Sequence, residues 1–164
     1  MMTQYGLHMT QILQDFLTGA KNKEFATNTG TQIHARLRQV VVDEKKGNSG
    51  DLELIQNIIN RTGLKKFFAV SAKTEVSIAG YLNGRFVSRR IDRLLINKDT
   101  KTIDFIDYKT DTDKTRFIEQ YKRQLNEYGN LLRSAYSGYE INGYILWLAD
   151  WSLDKQFQTK NLKN

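Results

Sequence analysis

Asn83-Gly84, set between the β-patterned segments Ile78-Ala79-Gly80-Tyr81-Leu82 and Arg85-Phe86-Val87, constrains this chain more than any other feature. Asn-Gly is the pair best suited to the left-handed backbone of a two-residue hairpin turn. A hairpin there commits the middle of the chain to a sheet. The flanking residues agree: 67–78 alternates loosely through Phe68, Val70, Val76 and Ile78, and 88–97 reads as the next strand. Lys98-Asp99-Thr100-Lys101 then predicts a turn, and 102–108 a further strand.

Helical periodicity brackets these strands. Met9, Ile12, Leu13, Phe16 and Leu17 recur at helical spacing. After the turn-rich Thr27-Asn28-Thr29-Gly30, a second helix is expected to carry Ile33, Leu37, Val40 and Val41 and to stop near Lys46-Gly47-Asn48-Ser49-Gly50. A short third helix over 51–61 has Asp51 as its N-cap. A long helix over about 115–135 and a last strand over 141–148 complete the pattern. The order predicts one α/β domain over residues 1–164, a mixed central β-sheet flanked by helices, with helices at its N-terminal end.

Composition narrows the chemistry. The chain has no cysteine, which excludes disulfides, thiolate zinc sites, iron–sulfur clusters and cysteine nucleophiles. Two histidines are too few for a histidine-rich metal site. Any metal would be held mainly by carboxylate oxygen, which favours Mg2+ or Mn2+. A net charge of +7 suits an anionic partner, most simply nucleic acid, although a lysine-rich composition also serves solubility. No run approaches the roughly 20 apolar residues of a membrane helix, and the first residues do not resemble a signal peptide. A cytoplasmic protein without a membrane partner is expected.

One acidic residue, Asp92, interrupts the apolar strand segment Ile91-Asp92-Arg93-Leu94-Leu95, and Asp107 and Lys109 follow at i and i+2 in Ile106-Asp107-Tyr108-Lys109. Alternate strand residues share a face, so Asp107 and Lys109 project together. Pairing of the two strands through the 98–101 turn brings Asp92 near Asp107. Two close carboxylates repel, and burial raises the cost unless a cation joins them. A divalent metal resolves that conflict and adds a Lewis acid. The same residues also fit a plainer arrangement, turn-capping aspartates with a solvated Asp–Lys pair of little energetic value.

The motifs around them resemble the PD-(D/E)xK nuclease superfamily, and within it the nuclease domain of RecB- and AddA-type helicase–nucleases. Gly30-Thr31-Gln32-Ile33-His34 fits the G-x-x-x-H motif. Arg89-Arg90-Ile91-Asp92 stands for G-x-I/V-D, with a basic residue where a small one is usual. Asp107-Tyr108-Lys109-Thr110 matches D-Y-K-T in full, and Gln124 and Tyr128 match Q-x-x-x-Y. The resemblance implies a restriction-endonuclease-like core, with His34, Asp92, Asp107 and the Tyr108 carbonyl as metal ligands. Lys109 would position water or offset transition-state charge. Gln124 and Tyr128, at i and i+4 on one helix face, would complete the catalytic set. Glu75, on a preceding strand, is a weaker candidate for a supporting acid, equally readable as an exposed strand glutamate. Arg90, Arg93, Arg116 and Arg123 are candidate phosphate contacts, although any solvated face carries such residues.

What the resemblance implies is a Mg2+- or Mn2+-dependent deoxyribonuclease, an exonuclease in double-strand break repair or recombination. Its partners would be DNA and a helicase domain or subunit. No G-x-x-x-x-G-K-[ST] phosphate loop is present, so the chain is read as a stand-alone nuclease or a domain cut from a larger helicase–nuclease. Two alternatives stay open: a catalytically inactive nuclease-like DNA-binding module, and a metal-independent domain in which Asp92, Asp107 and Lys109 form a structural ion-pair cluster.

Overall fold

A computed structural model describes residues 23–61 and 63–159, so the helix expected around Met9 to Leu17 lies outside the described residues. Strands β1 (Lys73–Leu82), β2 (Arg85–Asn97), β3 (Thr102–Lys109), β4 (Glu140–Trp147) and β5 (Ser152–Gln158) form one sheet in the order β1-β2-β3-β4-β5. β3 and β4 run parallel and every other neighbour pair is antiparallel, which is the mixed α/β sheet expected. Asn83 (φ 51°) and Gly84 (φ 75°) supply the left-handed turn of the β1–β2 hairpin. β2 is continuous through Val87 and Ser88, so the two segments read separately there are one strand.

The helices are α1 (Lys23–Gln39), α2 (Leu52–Ile59) and α3 (Ile118–Ala135). α1 passes through Thr27-Asn28-Thr29-Gly30 without a turn and ends before Val40, which moves both expected boundaries. Carbonyls at its end and just beyond it are taken by a buried guanidinium: Arg93 Nη2 donates to Leu37 O at 2.5 Å and to Val40 O at 2.8 Å. Val41 and Ser49 then exchange backbone hydrogen bonds at 2.9 Å. Gly50 closes that turn at φ 105°, where a Cβ would sit 2.8 Å from Val40 Cα. α2 starts as expected, with Asp51 accepting from Glu53 N and Leu54 N. α3 begins three residues later than expected, because Asp113 Oδ1 captures the Thr115 and Arg116 amides in a turn of its own.

Two expectations for the strands need correction. Phe67 and Phe68 are both fully buried in a 3-10 turn (Lys65–Phe68), so the first strand starts only at Lys73. β5 had no counterpart in the sequence reading. Its register slips by one residue opposite Gly143 and Tyr144, which sends Leu153 and Phe157 into opposite cores and erases any simple alternation.

The two faces of the sheet carry separate cores. On one, Ile106, Tyr108 and Leu146 pack with Ile33 and Leu37 of α1, Ile55 and Ile58 of α2, and Phe67 and Phe68. On the other, Ile103, Phe105, Ile145 and Trp147 pack with Leu125, Tyr128 and Leu132 of α3. β3 and β4 are covered on both faces, and their central residues Ile103, Phe105, Ile106, Ile145, Leu146 and Trp147 are fully buried. Against that background the buried polar residues Asp92, Arg93 and Asp107 stand out.

Candidate active site

The site forms where β2 leaves β3. Their ladder ends at Arg93–Ile106, and one residue further Asp92 and Asp107 stand across from each other. β2 turns its faces over at this point. Ile91 and Leu94, three residues apart, both reach the α3-side core, while Arg93 between them points to the α1 side. The Asp92 carboxylate fills the gap in the ladder, its Oδ2 accepting the Tyr108 N–H at 2.7 Å. Opposite Asp92 on β1, Glu75 breaks the other ladder: Thr74–Arg93 and Val76–Ile91 are paired, and Glu75 itself sits at φ 53°. A left-handed conformation is costly for a residue with a Cβ, and such strain concentrates at functional sites.

α1 delivers His34 to this junction. Its Nδ1 lies 3.3 Å from Asp92 Oδ1, and its ring meets the Tyr108 ring edge-on with centroids 5.1 Å apart. Gly30, one turn earlier, faces Thr110 just past β3, where a Cβ would sit in ordinary contact 3.9 Å from Thr110 Oγ1. Burial by itself lowers the His34 pKa. The hydrogen bond to Asp92 and the charges of Asp92, Asp107 and Glu75 outweigh it and raise the imidazole above its ordinary value.

On the other side of β3, α3 closes around Asp107. Gln124 Nε2 donates to Asp107 Oδ1 at 3.2 Å and to the Tyr128 hydroxyl at 2.5 Å, and that hydroxyl donates to Asp107 Oδ1 at 3.3 Å. Lys109 Nζ donates to Gln124 Oε1 at 2.9 Å and lies 2.5 Å from Asp107 Oδ2. That contact to the ammonium is what satisfies Asp107 Oδ2, which is otherwise buried without a hydrogen-bond partner. Burial pushes the Asp107 carboxyl upward, Lys109 pulls it back down, Asp92 adds to the rise, and the net direction is up. The Lys109 ammonium also lies 4.3 Å from the centre of the Tyr121 ring.

His34, Asp92, Asp107, Tyr108, Lys109, Gln124 and Tyr128 are therefore all brought to one junction. Glu75 joins them at its edge, held at 2.8 Å by Arg90 Nε. Arg116 and Arg123 are exposed. Arg93 is not: at 1% exposure it bonds Tyr108 Oη, Phe67 O, Leu37 O and Val40 O and stacks on Phe68. Its partners are carbonyls, a phenol and a ring, so it is removed from the nucleic-acid contacts and becomes the tie between α1 and β3. Tyr121 beside Lys109 escaped the sequence reading because its spacing on α3 is that of an ordinary core position.

By type the donors suit a hard divalent cation: two buried carboxylates, Asp92 and Asp107, lie at the junction, and the His34 imidazole touches one of them. The cage is not closed, since among the described residues no group of three or more His, Asp or Glu converges tightly enough to hold an ion. Lys109, Gln124 and Tyr128 occupy Asp107 instead.

No protein-family model and no curated protein matches the chain. A crystal structure of a protein described as an exonuclease candidate from Eubacterium rectale aligns over 98% of this chain and 61% of its own, with 14% identity and a TM-score of 0.43. This chain thus spans under two thirds of that protein, and the likeness is too low to carry an assignment of fold or activity. Among the described residues, no helix is long and apolar enough to cross a membrane.

Proposed function

We propose that this protein is a metal-dependent deoxyribonuclease with a restriction-endonuclease-like core, acting as an exonuclease in double-strand break repair or recombination. The observation that carries the reading is the strand junction itself. It places Asp92 across from Asp107, with Lys109 against one carboxylate and His34 against the other. A structural ion-pair cluster has no need of a second buried carboxylate, a strained glutamate and an imidazole at the same point.

His34, Asp92 and Asp107, with the Tyr108 carbonyl, are the residues that would hold Mg2+ or Mn2+. Such an ion supplies a Lewis acid for a phosphate oxygen and lowers the pKa of water. The chain's own groups complete the chemistry. Gln124 and Tyr128 fix Asp107 Oδ1, and Lys109 covers Oδ2, so a metal at Asp107 would have to displace the ammonium from that oxygen. Gln124 and the Tyr121 ring hold the Lys109 ammonium where it can orient water or offset negative charge growing on the phosphate. Arg90, Arg116 and Arg123 are exposed and supply contacts to the flanking phosphates. A helicase domain or subunit that feeds unwound strand is the partner this reading implies.

One observation favours a second reading, a nuclease-like module that binds DNA without cutting it: Asp107 is closed off by Lys109, and no three-donor cage is preformed. The two readings separate in one assay. End-labelled single- and double-stranded DNA is incubated with Mn2+, Mg2+ or EDTA. Cleavage with metal and none in EDTA supports the nuclease; binding without cleavage under every metal supports the module.

A further inference from the structure

Lys109 ends β3, and Asp111 follows two residues later on the segment that leads into α3. Asp111 Oδ2 accepts the Tyr121 hydroxyl hydrogen at 2.5 Å, and among the described residues no cation pairs with this carboxylate. Tyr121 stands in the first turn of α3, half-buried, its ring edge-on to Trp147 at 6.1 Å and tilted against Phe117 at 6.2 Å. The Lys109 ammonium lies over that ring, 4.3 Å from its centre, and its side chain is only 14% exposed. A chain of contacts therefore runs from the Asp111 carboxylate through the Tyr121 hydroxyl and ring to Lys109. The segment that carries Asp111 is tied down beyond it as well, since Lys114 Nζ donates to Asp150 Oδ2 and Ser152 Oγ, both at 2.6 Å.

We propose that Asp111 is a positioning residue for Lys109, acting through Tyr121. Its effect on cleavage rests on the nuclease reading; the positioning itself does not. The ammonium has three contacts, Asp107 Oδ2, Gln124 Oε1 and the Tyr121 face. With Asp107 Oδ2 given over to a metal, only the last two remain, and a lysine held by one oxygen alone keeps the freedom of its four-carbon stem. The ring supplies the second hold, because its face is the negative pole of the aromatic quadrupole. Asp111 acts on that hold twice. Its hydrogen bond fixes the tilt of the ring beneath the ammonium. Donation to a carboxylate is also the strong kind of hydrogen bond, and it leaves electron density on the phenol, which deepens the attraction for a cation. Core packing accounts for the ring but not for the hydroxyl, since a phenylalanine would meet Phe117 and Trp147 equally well.

The positioning is read first without metal, from NMR of protein carrying isotope-labelled lysine in EDTA. The ring current of Tyr121 should hold the Lys109 side-chain protons upfield of those of exposed lysines. Asp111→Asn, which keeps an acceptor for the hydroxyl, should leave them there. Asp111→Ala and Tyr121→Phe should each move them part of the way back, and Tyr121→Leu all the way. Single-turnover cleavage in Mn2+ at saturating DNA should follow the same order. The asparagine variant should stay within about two-fold of wild type, Asp111→Ala and Tyr121→Phe fall about three-fold or more, and Tyr121→Leu about ten-fold or more. Asp111→Ala/Tyr121→Phe should be no slower than the slower single variant, because both changes remove the same bond. DNA affinity should stay within about two-fold throughout, as expected of residues that touch Lys109 and not the strand. Lys109 signals at the position of exposed lysines in wild type, wild-type shift and rate in Asp111→Ala, or additive losses in the double variant would each overturn the proposal. The expected lysine shifts with no cleavage by wild type under any metal would instead overturn the nuclease reading and leave the positioning standing.

Discussion

Asp92 accepts the Tyr108 amide hydrogen at 2.7 Å at the point where the β2–β3 ladder ends, so one side chain serves both the sheet and the site. The two roles can be separated. Asp92→Asn keeps an oxygen for the Tyr108 amide and removes the negative charge. Its stability should stay within about 1 kcal/mol of wild type, while Mn2+ affinity by titration calorimetry should fall at least ten-fold. Asp92→Ala should lose both. Unchanged Mn2+ affinity in the asparagine variant would remove Asp92 from the metal ligands.

Arg93 is a buried cation with four hydrogen-bond acceptors and, among the described residues, no carboxylate partner. Arg93→Ala would strand the Leu37, Val40 and Phe67 carbonyls and the Tyr108 hydroxyl, and is expected to cost about 3–5 kcal/mol in urea unfolding. Because α1 carries His34, any folded Arg93→Lys protein should also bind Mn2+ more weakly than wild type. DNA binding in EDTA at a temperature where both are folded should be unaffected. A large loss of DNA affinity with normal stability would return Arg93 to the phosphate contacts.

Glu75 holds a left-handed backbone beside the site while pairing with Arg90. Glu75→Gly should therefore be more stable than Glu75→Ala by about 1 kcal/mol, since only glycine adopts that conformation without strain. Both should lower the His34 pKa, measured by NMR, because both remove the same negative charge. Equal stability of the two variants would show that the strand relaxes at this position.

His34 carries a raised pKa through Asp92, Asp107 and Glu75. A group whose pKa is higher in the folded state stabilises the fold most at acid pH, fully below its ordinary value of 6.5, and that contribution fades as pH rises through the folded value. Without metal, the stability advantage of wild type over His34→Gln should be larger at pH 5.5 than at pH 9. With Mn2+ the order reverses, since an imidazole ligand must be neutral and protons compete with the ion. Metal-induced stabilisation should grow with pH across the same window. A Mn2+ response independent of pH would exclude His34 as a ligand.

The site was more legible in the sequence than the edges of the fold. Asp107-Tyr108-Lys109 and Gln124-x-x-x-Tyr128 depend on the two-residue period of a strand and the four-residue spacing of a helix, and both periods held. The Asn83-Gly84 turn held because its chemistry is local. What failed was set by tertiary contact. Arg93 reads as a surface arginine, and only the three-dimensional approach of α1 turns it inward. β5 hid behind a register slip opposite Gly143 and Tyr144. Phe67-Phe68 reads as strand, and burial of both rings makes it a turn. The strain at Glu75 has no sequence signature, since glutamate is a poor choice for φ 53°.

The central claim is that Asp107 and Lys109 form a hydrolytic site. Its most direct measurement is single-turnover cleavage of end-labelled single-stranded DNA in Mn2+ by wild type and Lys109→Ala, with circular dichroism showing both folded. Metal-dependent cleavage by wild type, reduced about a thousand-fold or more in the variant, is the predicted result. Cleavage by Lys109→Ala at the wild-type rate would contradict it.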